Sequence, residues 1–337
     1  MSNIGIGIDI GTQNAKVVCL KKKEGSYSLM GCGSIPYAQE PNKLKTFLQR
    51  AQAGSGDIRI NIDTPSTRIR RLDVPRMTEE ELPEAVRWAS KDFLDDDIDE
   101  YAFRFTKIHK EDIDTHDKLS LVLYAIKNTD IQKQYDLVEK LGLSRPSVIE
   151  PNASALANAV LLSNKITNAD HFILVDIGFA VTLFTVITKH GLLFSRPIPS
   201  SGDKTLTEQI ARDLNTTPSN ALKIKEAYLS EGNFFLEPAK QNILKNTVNH
   251  FYSRLAVEIQ RSLDGYMLVF AKRKVSALHL CGGGAYYYNL TEYLTQTLGL
   301  TTSQFNPFKN IDLGLMPSEQ VNKKACIFAV ACGLAQD

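Results

Sequence analysis

The most regular pattern in the chain is its opening. Ile4, Ile6, Ile8 and Ile10 alternate with Gly5, Gly7 and Asp9, a period of two that predicts a strand with one apolar face. The other face is almost bare, except for one carboxylate at the strand's end. Gly11 permits a tight reversal, and residues 17–20 predict the returning strand. The turn offers backbone N–H groups from Gly11 to Gln13, a hydroxyl at Thr12 and a cation at Lys16, a cradle for an anion such as a phosphate. The pattern returns at residues 171–187, where strand, Asp176-Ile-Gly178 and strand follow one another again. Two like halves, each presenting an Asp-tipped hairpin to a shared cleft, account for both copies. Two carboxylates facing one polyphosphate would repel it without a divalent cation between them, so the duplication predicts Mg²⁺ together with a nucleotide.

Between the copies, residues 26–35 predict a strand, 42–51 an amphipathic helix with Leu44, Phe47 and Leu48 inward, and 58–62 another strand. Pro75 marks a boundary. Residues 77–147 read as an inserted α+β unit. Thr78 and Glu81 make a capping box, with Pro83 as the alternative helix start. Leu82, Val86, Ala89 and Phe93 form one stripe, residues 101–105 and 119–126 are strands, and Asp130 caps a helix ending at Leu141-Gly142. A helix rich in small residues begins at Glu150-Pro151, and residues 325–335 carry Ala325, Ala329 and Gly333 at every fourth position. Two small-faced helices could form a hinge between the halves or could be ordinary core helices.

In the second half a strand at 191–199 leads to Gly202, where a helix from residue 204 or 205 to 214 presents its positive end. Helices are predicted at 218–228 and 241–270. A strand at 275–281 then runs into Gly282-Gly283-Gly284 and a further helix, a place where backbone can lie flat against a ligand.

Composition narrows the classes. The 337 residues suffice for two cores, and a net charge of +1 gives no global attraction to nucleic acid or anionic lipid. The basic clusters at 21–23, 68–71 and 272–274 are short and read as solvated faces. No basic leader precedes the first strand and no apolar run is long enough for a membrane span. The five scattered cysteines read as buried thiols of a reducing compartment. A soluble, cytoplasmic protein is expected. No Gly-x4-Gly-Lys-Ser/Thr loop is present.

With three glycine-bearing loops and two small-faced helices in this order, the chain resembles the actin-like ATPase superfamily over nearly its whole length. Asp9 to Lys16 and Asp176 to Thr182 match its two phosphate motifs, Leu280 to Ala285 its adenosine motif, and the helices after Glu150-Pro151 and at 325–335 its connecting helices. Within it, the chain is most similar to the PilM family of type IV pilus assembly proteins, relatives of the division protein FtsA. The supporting stretches are Pro75-Arg-Met77 with Glu81-Leu82 and Val86-Arg-Trp88, Arg196-Pro-Ile-Pro199 with Gly202, Glu258 to Leu263, and Asn306-Pro-Phe308. Phe179 and Ala180 depart from the small or polar residues usual after Asp-Ile-Gly. So does Leu222, which stands where a glutamate near the purine is expected.

The resemblance implies an α/β fold of two ribonuclease-H-like halves with an FtsA-type 1C subdomain inserted at 77–147. Subdomain 1A would take 1–76, 148–172 and 325–337, 2A would take 173–205 and 270–324, and 2B would take 206–269. It implies ATP and Mg²⁺ as cofactors. Asp9 and Asp176 would hold the metal through water, Gly11, Thr12, Gln13, Lys16 and Gly178 the phosphates, and Gly202, Asp203, Lys225 and Gly282 to Gly284 the ribose and base. Glu150 stands where the attacking water is oriented, although a carboxylate favoured at a helix start explains it equally. The implied role is an assembly scaffold, a weak ATPase at most, that binds the cytoplasmic tail of a PilN-type membrane protein in a nucleotide-sensitive way. It would work with other pilus proteins and self-association is allowed, without nucleic acid. Membrane contact would come only through partners, at the inner membrane. Trp88 is a candidate contact or a core-edge aromatic. The rival functions are an FtsA-like division filament and a small-molecule kinase, for which no general base is evident.

Overall fold

The opening isoleucines form β1 (Ile4–Ile10), which turns into β2 (Ala15–Lys23) and β3 (Ser26–Ile35). Then come α1 (Pro41–Arg50), β4 (Asp57–Ile62), β5 (Arg68–Pro75), α2 (Leu82–Ala89), β6 (Tyr101–Lys107), β7 (Lys118–Lys127) and α3 (Asn128–Lys140). β8 (Val148–Pro151) and α4 (Asn152–Ser163) close this run. The second run is β9 (Phe172–Ile177), β10 (Val181–Thr188), β11 (Gly191–Pro199), α5 (Asp203–Asp213), α6 (Pro218–Glu231), α7 (Pro238–Val269) and β12 (Ala277–Cys281). It ends with α8 (Leu290–Leu298), β13 (Thr301–Gln304), α9 (Ser318–Lys323) and α10 (Ala329–Leu334). This computed structural model describes residues 4–12, 14–36, 41–51, 56–112, 117–167, 170–231, 236–270, 275–314 and 316–336.

The sheets repeat one another. The first runs β3-β2-β1-β4-β8 and the second β11-β10-β9-β12-β13. In the first, β1 is antiparallel to β2 and parallel to β4. In the second, β9 is parallel to β12 and β12 to β13. β1 and β9 therefore hold the same place in two equivalent sheets. The chain divides into two compact units, Met1–Asp170 with Thr185–Ser195 and Pro307–Asp337, and His171–Phe184 with Arg196–Asn306.

In the first unit, the bare face of β1 has a cause. A Cβ on Gly7 would lie 1.9 Å from the Ala331 carbonyl oxygen and one on Gly5 2.1 Å from that of Ala335. The backbone of α10 thus rests directly on the strand. α10 also packs on α4, where a Cβ on Gly333 would meet the Ala155 carbonyl oxygen at 1.7 Å. The small-faced helices belong to one unit and pack against each other. The expected single helix at 325–335 is instead a 3-10 turn, Ala325–Phe328, followed by α10.

The inserted region departs from its sequence reading in three places. Residues 68–75, assigned to the first half, pair with β7 in a three-stranded sheet ordered β5-β7-β6. The Thr78–Glu81 pair forms, with Glu81 accepting from the Thr78 N–H at 3.0 Å and hydroxyl at 2.8 Å. It closes a turn, however, and α2 starts at Leu82 with Pro83 in its first turn. Asp130 does not cap α3; it lies in the helix's first turn, bonded to Ser66 at 2.6 Å and Lys133 at 2.7 Å. Val138 and Leu141 at the end of α3 join the core of Ile6, Ile8, Ile60 and Leu44, so this helix covers the first sheet. The insert's own core is Val74, Leu82, Val86, Leu121 and Leu123.

Among the described residues none of the five cysteines forms a disulfide, and burial raises the Cys19 thiol to about 12. Among the same residues no helix is long and apolar enough to cross a membrane.

Candidate functional site

In the first unit the site is built at the end of β1. Asp9 faces Lys16 across the β1–β2 ladder, and the Lys16 ammonium sits 3.1 Å from its Oδ2. The other carboxylate oxygen accepts from Asn61 Nδ2 at 3.0 Å. Asn61, at the end of β4, also accepts the Ile10 N–H at 2.7 Å and donates to Asn152 at 2.9 Å. Asn152 in turn donates to Asp63 at 3.3 Å. Two ends of parallel strands and the first residue of α4 thus converge through side-chain amides. Burial, then the charge of Asp9, push the Asp63 carboxyl up to about 6.

The turn itself is closed by Gly11 N–H donating to Asn14 O at 3.2 Å. One of the amides expected to be open to an anion is therefore committed. Thr12 is exposed, and Gln13 lies outside the described residues. Glu150 lies within β8, one residue before its end, instead of starting a helix. Its Oε1 accepts from Ser154 Oγ and from Asn158 Nδ2, the latter at 3.1 Å, and burial raises its carboxyl above the ordinary range. Pro151 is the N-cap of α4, not its first helical residue.

The second unit repeats the backbone and changes the side chains. Gly178 N–H donates to Val181 O at 3.1 Å, the same three-residue closure as at Gly11. This turn docks on α5, where the N–H groups of Asp203 and Lys204 donate to the Gly178 and Phe179 carbonyls at 3.0 and 2.9 Å. Gly202 allows the approach, since a Cβ there would lie 2.4 Å from Phe179 O. Two of the amides at the positive helix end beside Gly202 are thus taken up by the turn. Asp203 is bonded to the buried Lys225 and to the Tyr287 hydroxyl, and Lys225 donates to Thr207 at 2.8 Å. Burial, reinforced by Asp203, raises the Tyr287 hydroxyl far above its ordinary range.

Asp176 is paired in register with Cys281. Gly282 follows at a φ of 80°, and a Cβ on it would come 2.2 Å from Asp176 Oδ1. A Cβ on Gly284 would come 2.2 Å from Ile177 Cγ2, whereas Gly283 faces open space. Two glycines therefore serve close packing on β9, and the middle one leaves room for a ligand. The residues that sequence reading missed are Asn61, Asn152, Asp63 and Tyr287. A polar Asn61-Ile-Asp63 at the end of an apolar strand was the available signal.

Trp88 is 59% exposed. Arg196 and Glu258, from two of the stretches that carried the resemblance, meet at 2.9 Å, with Ser262 accepting from Arg196 at 2.8 Å.

Comparison with known proteins adds the following. The family model described as type IV pilus assembly protein PilM matches residues 7–337. A PilM–PilN type IV pilus biogenesis complex contains a chain with the same fold, at a TM-score of 0.82 and 22% identity, covering 98% of this chain and 97% of that one. MreB5 of Spiroplasma citri bound to AMPPNP aligns at a TM-score of 0.53 and 11% identity over 99% of this chain and 95% of its own. The ethanolamine utilization protein EutJ from Carboxydothermus hydrogenoformans aligns at 0.51 and 15% identity over 98% and 89%. The fold is that of the actin-like ATPases.

Proposed function

The chain belongs to the PilM family of type IV pilus assembly proteins, and on that premise we propose that it is an ATP-binding assembly scaffold whose partner is the cytoplasmic tail of a PilN-type inner-membrane protein. The observation that carries the nucleotide reading is the repeated turn: Asp9 and Asp176 each stand two residues before a glycine whose N–H closes the turn three residues on, in equivalent strands of two equivalent sheets.

The residues fit the group. In each unit the aspartate, Asp9 in the first and Asp176 in the second, would face Mg²⁺ through water, and the ion would neutralise phosphate charge. Lys16 and the turns at Gly11 and Gly178 would take phosphate oxygens, while the open Cα of Gly283 would let ribose or base approach. Gly202, Asp203 and Lys225 would act by holding the second turn on α5. Glu150 would orient water in a weak hydrolysis. Trp88 would contact the tail, and the protein would work in the cytoplasm, at the inner membrane through its partner.

A titration with labelled ATP and Mg²⁺ on the wild type and on Asp9→Ala, beside a pulldown with a PilN-type tail with and without nucleotide, tests the reading. Loss of ATP binding in the variant and a nucleotide-dependent tail capture are expected. Tail capture indifferent to nucleotide, or a variant that binds ATP as the wild type does, would overturn it.

A further inference from the structure

A second cluster of ligand-type side chains lies in the first unit, away from β1. The loop after β6 turns at residues 109–112, where Asp112 N–H donates to His109 O at 2.9 Å. That turn sets His109 and Glu111 beside His190, in the turn between β10 and β11. One nitrogen from each imidazole and one Glu111 oxygen all lie within 4.8 Å of one another. The two rings stack with centroids 3.9 Å apart.

The surroundings of His190 give the cluster its direction. Asp112 is buried, and its Oδ2 lies 2.9 Å from His190 Nδ1 and 3.1 Å from the Thr188 hydroxyl. With Nδ1 engaged by the carboxylate, Nε2 is the ring nitrogen left to bind a metal. A buried carboxylate that fixes a histidine tautomer is the usual outer support of a metal-bound imidazole. Thr188 Oγ1 also accepts the His190 N–H at 3.2 Å, which fixes the backbone of the turn. Glu111 supplies the anion. Its hydrogen bond from Lys189, at 3.0 Å, holds its carboxyl below the ordinary range, with the nearby histidines adding to this. Lys189 is only partly buried and can yield its place to a stronger cation.

We propose that His109, Glu111 and His190 form a binding site for a first-row divalent transition metal, zinc above all, that joins the loop after β6 to the β10–β11 turn. Two imidazoles and a carboxylate suit zinc and its neighbours in the series, while Mg²⁺ and Ca²⁺ favour oxygen alone. Three protein ligands leave a position for water. Binding requires the exposed His109 ring to rotate out of its stack, which brings both ring nitrogens to one point. The metal would then fasten the inserted sheet's loop to the hairpin.

The test uses the full chain, free of any affinity tag and stripped of metal, titrated with Zn²⁺ alone in a calorimeter and with Co²⁺ for its visible spectrum. One ion per chain is expected, unchanged by Mg²⁺ and retained in Asp9→Asn. His109→Gln and His190→Ala should each weaken binding at least about 10-fold, and Asp112→Asn by about 10- to 100-fold through the lost support. His109 is exposed, so its variant keeps the test open even if changes at His190 or Asp112 disturb the turn. Absence of saturable Zn²⁺ binding by the wild type, or unchanged binding by His109→Gln, would overturn the proposal.

Discussion

The two Asp-tipped hairpins share a backbone and differ in how charge is handled. In the first unit Asp9 is held by a cation across the ladder and by an amide from the neighbouring strand. In the second, the place beside Asp176 is taken by Cys281, and a bare glycine follows. The cation there, Lys225, is turned away to Asp203 and shut inside the unit. Duplication has kept the hydrogen-bonded turn, which depends only on backbone, and has let the side-chain chemistry part. One hairpin is tuned by polar partners, the other by close packing.

Four measurements can break or sharpen that contrast. Lys225→Met should be the most damaging, at about 3–5 kcal/mol, because it strands Asp203 without its buried partner. Lys16→Met, at a partly exposed pair, should cost about 1 kcal/mol or less. Chemical denaturation of both variants checks this, and equal losses would erase the contrast.

Glycine positions come next. Gly282→Ala should cost about 3 kcal/mol, the upper range for strained backbone, since φ is 80° and the Ile177 carbonyl oxygen stands 2.6 Å from the new Cβ. At Gly11 the new Cβ would chiefly meet the movable Lys16 ammonium, at 2.8 Å. Gly11→Ala should therefore stay within about 1 kcal/mol. Thermal melts of the pair decide it.

Asn61→Ala should cost about 2 kcal/mol, since it orphans the Ile10 N–H and loosens Asp9. Its counterpart Cys281→Ala should show no comparable effect on Asp176, and ATP titration would register the difference. The smallest effect concerns pH. Asp63 is raised in the folded state, so it binds its proton more tightly folded than unfolded. That contribution is present at acid pH and fades as pH climbs from the ordinary carboxylate range toward about 6. Asp9→Asn should lower the Asp63 midpoint in an NMR titration, and no movement would mean that burial alone sets it.

Local chemistry explains what could be read from sequence. The Asp-Ile-Gly turns, the alternating strands and the start of α6 at Pro218 depend on near neighbours, and each is visible in a short window. The strand at 68–75 shows no such signal for its partner: whether it joins β4 or β7 is decided by hydrogen bonds to residues far along the chain. The same holds for α3, whose last turn could have covered the inserted sheet but fills the space over Ile6 and Ile60. Asn61 was passed over because its partners, Asp9 and Asn152, lie 52 and 91 residues away. The glycines of β1 were visible, but their occupant, the backbone of α10, was not.

That roof over β1 puts the first unit on a schedule. A ribosome makes β1 and its hairpin neighbours long before α10 emerges, so the groove over Gly5 and Gly7 stays open to water, or to a chaperone, throughout synthesis. The inserted sheet, whose strands are close in sequence, can mature meanwhile. The first unit can close only after its farthest segment arrives, and premature stops upstream of residue 329 should yield chains that misfold while the insert is already sound.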